Sequence, residues 1–175
     1  MDKKLFRDRC KSVLKKASEK KRYIHDIRVC QKVDSLIKAT KPKSVLFYAP
    51  LKSEPNLLPL VKKYRKKIDV YLPFIEEKSF KMVKYRLPLK KCSFNVYEPK
   101  NSSLKVKSVD MIIVPVVGVD GDFKRVGFGK GMYDRFYERL DKKPMVVFVQ
   151  RKRCFTKQKV TSCHDISCDF YITPS

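Results

Sequence analysis

Arg125, Lys130 and Asp134 fall within ten residues of one another, with Gly127, Gly129 and Gly131 interleaved among them. All five glycines of the chain lie between positions 118 and 131. Glycine permits positive φ and lets a ligand approach bare backbone amides. Amides gathered before a helix, with cations beside them, form a cradle for phosphate groups. A carboxylate one helical step beyond suits Mg²⁺, which is usually held by one or two carboxylates together with phosphate oxygens. The other reading of Asp134 is a first-turn acid favoured by the helix dipole. The order G-x-G-x-G differs from the dinucleotide fingerprint G-x-G-x-x-G, and Lys130 precedes Gly131 with no Ser or Thr, so the loop is not a P-loop. Taken alone, these residues point to a nucleotide or phosphate site and name no reaction.

The elements that must position them read as alternating strands and helices. Residues 2–18 predict a helix with Phe6, Cys10, Val13 and Ala17 on one apolar stripe. Lys3 and Arg7, four residues apart, share a face of it, either as ligands or as a solvated basic face. Residues 21–38 predict a second helix carried by Ile24, Ile27, Val33 and Ile37, which Pro42 ends. Residues 44–48 read as a buried strand, after which Glu54 stands at the strand's C-terminal end, where open α/β sheets bind ligands. A capping acid is the alternative for Glu54. Leu57, Leu60, Val61 and Tyr64 then give a helical stripe, with Pro55 and Pro59 near its first turn. Strands are expected at 68–73, 82–85, 109–117, 145–149 and 170–172, and a helix at 131–140 with Tyr133, Phe136, Tyr137 and Leu140 inward. Residues 87–107 form an irregular Pro- and Lys-rich stretch. The β-branched 109–117 run predicts a central parallel strand. The pattern implies an α/β fold: one three-layer domain over residues 1–175, Rossmann-like, with an open, mainly parallel sheet flanked by helices.

Of 175 residues 43% are hydrophobic, enough for a core, while the net charge of +24 attracts polyanions generally. That charge is spread along the whole chain, with basic runs at 62–67 and 151–153. Six cysteines without a Cys-x-x-Cys pair and only two histidines argue against a zinc site of ordinary spacing. No apolar run follows Met1 and none approaches membrane-helix length, so a cytoplasmic protein with no membrane partner is expected.

Val119-Asp120-Gly121 followed by residues 125–135, Arg-Val-Gly-Phe-Gly-Lys-Gly-Met-Tyr-Asp-Arg, resembles the signature of the 5-formyltetrahydrofolate cyclo-ligase family. Lys3-Lys4-Leu5-Phe6-Arg7, the segment from Phe47 to Glu54, Tyr97-Glu98-Pro99 and His164-Asp165 resemble further family elements in family order. The resemblance implies an ATP- and Mg²⁺-dependent enzyme that converts 5-formyltetrahydrofolate to 5,10-methenyltetrahydrofolate by phosphorylation of the formyl oxygen and attack by N10. It implies that Arg125 and Lys130 serve the phosphoryl transfer. Lys3, Lys4, Arg7, Arg125, Gly127, Phe128, Gly129, Lys130, Gly131 and Tyr133 would hold ATP. Arg7, Ala49, Glu54, Phe128, Gly129, Lys130, Gly131 and Met132 would meet the folate, and Asp134 with Asp165 would ligate Mg²⁺.

Met132 stands where the family has the first tyrosine of a Tyr-Tyr pair, so thioether packing replaces a ring contact. Val126 replaces leucine, and Asn56-Leu57 replace the acid and threonine usual after Glu54. A monomer or weak homodimer acting on folate, with a polyglutamate tail as an option, is the expected state. A basic nucleic-acid-binding protein, or a noncatalytic folate- or nucleotide-binding relative, are the competing classes; no nucleic-acid module is recognisable, and Arg125, Lys130, Asp134 and Asp165 are all retained.

Overall fold

The computed structural model describes residues 2–19, 21–86, 89–91, 97–99 and 106–175; Cys92 and much of the irregular 87–107 stretch lie outside them. Two long helices open the chain, α1 (Lys3–Glu19) and α2 (Arg22–Thr40). On α1 the buried stripe is Phe6, Cys10 and Leu14. On α2 the buried residues are Asp26, Val29, Val33 and Ile37, whereas Ile24 and Ile27 are exposed. The helix has turned a carboxylate inward in place of the expected isoleucines, because Asp26 pairs with the buried Arg151. The helix stops at Lys41, whose left-handed backbone donates to the Ile37 carbonyl, and Pro42 follows.

Among the described residues a six-stranded sheet runs β10 (Phe170–Ile172), β9 (Met145–Val149), β6 (Met111–Pro115), β1 (Ser44–Leu46), β2 (Asp69–Glu76), β3 (Ser79–Lys84). Its pairings are parallel except for β2–β3, an antiparallel hairpin at the edge. Every residue of β6 is buried, as its continuous apolar run demands. Alternation sends Val45, Ile113, Val147 and Val149 under α2 and α3 (Leu58–Tyr64), while Leu46, Ile112, Val114 and Phe148 meet Phe136 of α4 (Met132–Glu138) on the other face. Each such aliphatic side chain, fully buried, contributes about 1.5–3 kcal/mol. Two short antiparallel ribbons complete the described chain: β4 (Lys90–Lys91) with β5 (Tyr97–Glu98), and β7 (Gly118–Val119) with β8 (Arg125–Val126).

From β1 the chain moves to β2 on one side and later returns to β6 on the other. This reversal opens a crevice beyond the C-terminal ends of β1 and β6, the usual ligand position in open α/β sheets. No described helix is long and apolar enough to cross a membrane.

Candidate active site

The glycine-rich segment divides into two parts with different physical roles. Its first part is the β7–β8 ribbon, on which α1 lies. A Cβ added at Gly118 would stand 2.7 Å from the Phe6 ring and 3.0 Å from Cys10 Sγ, so α1 seats directly against backbone there. Gly118→Ala is expected to lower the unfolding free energy by about 1–3 kcal/mol in denaturant titration; an unchanged midpoint would show that Phe6 can withdraw. The ribbon's turn is organised by Asp120, which is fully buried. One of its oxygens accepts from the amides of Asp122 and Lys124, the other from the amides of Val160 and Thr161 and from the Thr161 hydroxyl. Burial pushes this carboxyl up, but those hydrogen bonds outweigh it and hold it below the usual carboxylate range. Asp120 therefore fixes the ribbon to the loop that carries Asp165.

The second part, residues 127–131, is the cradle. Gly129 and Gly131 adopt φ of 109° and 59°, which side-chain-bearing residues rarely take. The Arg7 Nε donates to the Gly127 carbonyl at 2.9 Å, bringing the first helix under the loop. Arg135 donates to the carbonyls of Lys78 and Lys130, tying the loop to the β2–β3 turn. The helix that follows, α4, has only seven residues, so its dipole is short. The positive character of the cradle comes instead from Arg7, Arg125 and Lys130.

Arg125 is buried on β8 with its guanidinium 2.5 Å from Asp134 Oδ2 and 5.2 Å from the centre of the Tyr133 ring. Its Nε is buried with no acceptor. Tyr133 is held edge-on to Phe80 at 4.9 Å. Asp134 Oδ1 accepts from the amide of Ile166 at 3.3 Å, so Asp134 is fastened to the backbone of the residue that follows Asp165. Asp165 is bonded at both oxygens by Lys3 Nζ, at 2.7 and 2.5 Å, and by the amide and hydroxyl of Ser162. Burial raises its proton affinity, but Lys3 and Ser162 prevail and hold it low.

A cavity of about 320 Å³ lies in the crevice. Tyr48, Ala49 and Glu54 line it from the segment after β1, Pro73 and Ile75 from β2, and Phe80 from β3. Arg125, Phe128, Lys130, Gly131, Met132 and Tyr133 close it from the other side. Lys4 is exposed and does not line it, and neither do Lys3, Arg7, Gly127, Gly129, Asp134 and Asp165. Asp134 reaches its wall through Arg125, Arg7 supports Gly127 from behind, and Lys3 and Asp165 pair with each other. The Glu54 carboxyl is 8% exposed and accepts the Leu51 amide at 2.8 Å, so it closes its own turn and also faces the cavity. Burial pushes it up to about 7, against the opposing pull of the Leu51 amide, Arg151 and Arg125.

The sequence missed three participants. Asp120 was visible only as part of a motif, and Arg135 only as its last residue. Arg151 stood in a basic run that reads as solvated charge, yet it is fully buried.

The family model described as the 5-formyltetrahydrofolate cyclo-ligase family matches residues 1–174. A 5-formyltetrahydrofolate cyclo-ligase of Mycoplasma pneumoniae is 25% identical over 117 residues, 66% of this chain and 64% of that relative, so the aligned part is under two thirds of its length. The Mus musculus protein of the same name is 24% identical over 181 residues, covering 94% of this chain and 89% of its own. The NMR structure of Aquifex aeolicus 5,10-methenyltetrahydrofolate synthetase superposes with a TM-score of 0.79 at 30% identity, covering 99% of this chain and 90% of that one. With the match running almost from end to end, the chain belongs to the 5-formyltetrahydrofolate cyclo-ligase family.

Proposed function

We propose that the protein converts 5-formyltetrahydrofolate to 5,10-methenyltetrahydrofolate, with ATP consumed to ADP and phosphate. One observation carries this reading: a single crevice joins a buried carboxyl suited to a ring system, Glu54, to a cradle of amides and cations suited to phosphate. Its volume lies at the low end of small-molecule sites, roughly 300–1,000 Å³, which suits a fused-ring head group with the rest of the ligand outside.

The residues fit both implied groups. The unpartnered Nε of buried Arg125 is a donor that an anionic oxygen would satisfy. Among the described residues no cluster of three metal-ligating side chains exists. Mg²⁺ would therefore rest on Asp134 and Asp165 with phosphate oxygens completing its shell. Each carboxylate is already matched by a cation, so metal entry requires Arg125 and Lys3 to share or release it. When bound, Mg·ATP supplies the phosphoryl group that turns the formyl oxygen into a leaving group.

The chain's own residues do the rest. Arg125, buried on its strand, and Lys130, on the exposed cradle, stabilise charge developing on the transferred phosphoryl group. Arg7 holds the cradle from below through Gly127, and Lys3 ties the first helix to the Asp165 loop. Glu54 accepts hydrogen bonds from ring N–H groups, while Met132, Ile75 and Phe80 cover the ring faces. The basic run at 151–153, which favoured a nucleic-acid reading, loses Arg151 to the interior.

The test is turnover of the purified protein with 5-formyltetrahydrofolate, ATP and Mg²⁺, followed by methenyl-folate absorbance; no product with any divalent cation would sink the reading. A pH dependence follows from Glu54. Its carboxyl, raised to about 7, must be ionised to accept two ring N–H bonds, so binding releases a proton below that pH. Folate Kd should fall about tenfold per pH unit up to neutrality and level off above it. Glu54→Gln should bind weakly and flatten the profile, and a flat wild-type profile would remove Glu54 from ring recognition. The surplus positive charge further favours a polyglutamate tail: affinity should rise with glutamate number and fall with salt.

A further inference from the structure

Arg151 follows β9 and is completely shielded from solvent. All five of its N–H donors are used. The Nε donates to Asp26 Oδ1 at 2.9 Å, and one terminal nitrogen to the Ser18 hydroxyl at 2.8 Å and the Lys52 carbonyl at 2.7 Å. The other donates to Asp26 Oδ2 at 3.3 Å and to the carbonyl of Glu54. One guanidinium thus joins the end of α1, the start of α2 and the backbone of the loop that presents Glu54.

Burying a cation costs several kcal/mol of hydration, and a well-packed apolar substitute is often as stable. In a chain with a large positive excess, stability alone is a poor reason to place an arginine here. What the guanidinium supplies is direction: a rigid planar fork holds two carbonyls of an irregular loop at once, which a lysine cannot do. The loop has other fastenings: the Tyr48 hydroxyl on the Pro55 carbonyl and the Leu51 amide on Glu54 itself are local to it, and the Cys30 thiol of α2 reaches the Asn56 carbonyl at 3.3 Å, two residues beyond Glu54. Arg151, at the end of β9, is the group that bonds the Glu54 carbonyl itself and refers it to both long helices at once.

We propose that Arg151 is a positioning residue for Glu54, setting the place of its carboxyl in the cavity and thereby the enzyme's grip on the folate ring. The proposal rests on the reading of the cavity given above. Arg151 also acts on Glu54 through its charge. The groups facing that carboxyl are Arg151 behind it, Arg125 and Lys130 across the cavity, and the hydroxyls of Tyr48 and Tyr133.

The experiment separates geometry from charge with Arg151→Lys and Arg151→Met, measuring Kd for 5-formyltetrahydrofolate and for ATP separately by calorimetry across pH. Arg151→Lys should raise folate Kd by about tenfold or more, equivalent to about 1.4 kcal/mol, leave ATP Kd within about twofold, and keep the pH midpoint. Arg151→Met should raise folate Kd further and move the midpoint upward, because a neighbouring positive charge is gone. A folded Arg151→Lys protein with unchanged folate Kd, or one in which folate and ATP affinities fall together, overturns the proposal. Should Arg151→Met not fold, Asp26→Asn, which loosens the fork and leaves its cation in place, should raise folate Kd, leave ATP Kd within about twofold and give no upward shift of the midpoint. Unchanged folate Kd in a folded Asp26→Asn protein overturns the proposal. The Glu54 titration is also followed by ¹³C NMR on the protein alone. If the wild type binds no folate, the functional reading falls, while an unmoved Glu54 titration in Arg151→Met counts against Arg151 itself.

Discussion

Arg125→Met is expected to lower turnover about 10³-fold, the scale of a transition-state arginine in phosphoryl transfer. The same change should cost about 3–5 kcal/mol of stability, because it leaves the Asp134 carboxylate partly buried without its partner. It also removes the cation from the Tyr133 ring, a smaller loss. The two effects are separable. In Arg125→Met/Asp134→Asn the orphaned charge is gone, so the denaturation midpoint should return most of the way to wild type while turnover stays low. Asp134→Asn alone should lower turnover less severely, and added Mg²⁺ should restore part of it. Recovery of turnover in the double variant would show that Arg125 serves only to balance Asp134.

The second large effect is expected at Lys130. This residue is exposed on the cradle and lines the cavity, so Lys130→Met should shift stability by no more than about 0.5 kcal/mol. Turnover should nonetheless fall on the order of 10²-fold, with kcat and kcat/KM reduced together, because the ammonium acts on charge that develops in the transition state. If KM for ATP rises while kcat is kept, Lys130 only holds the nucleotide. The contrast with Arg125 is one of placement: the same chemistry, on a buried strand in one case and an open loop in the other.

Much of this arrangement was legible in the sequence, for identifiable reasons. The run at 109–117 is apolar and β-branched because β6 is covered on both faces, and few positions outside a central strand tolerate such a run. Strands β9 and β10 lie where apolar patterning put them. Glu54 was located by its place after a buried strand. What escaped had no local signature. The β2–β3 hairpin turns at Glu77 with φ 44°, without the glycine or asparagine that usually announces such a turn. The β7–β8 ribbon is two residues per strand, too short for any periodicity, and its turn depends on Asp120 reaching residues forty positions away. Ile24 and Ile27 are apolar at helical spacing yet exposed, since an ion pair formed 125 residues apart decides which face of α2 turns inward. Local patterning cannot register a partner so distant in sequence. Of the candidate site, the motif gave the residues, and the contacts among them came from the fold.

The contact between Lys3 and Asp165 joins residues 162 positions apart, and Arg7 meets Gly127 across 120. Such closures are slow, since the entropy of a long loop must be lost before the contact rewards it. The β2–β3 hairpin and the helices are local and need not wait. The cradle is therefore expected to be among the last regions to acquire its native form during refolding. A chain with most of its secondary structure in place would still lack anything for a nucleotide to hold, which makes nucleotide binding a more demanding reporter of complete folding than helical signal.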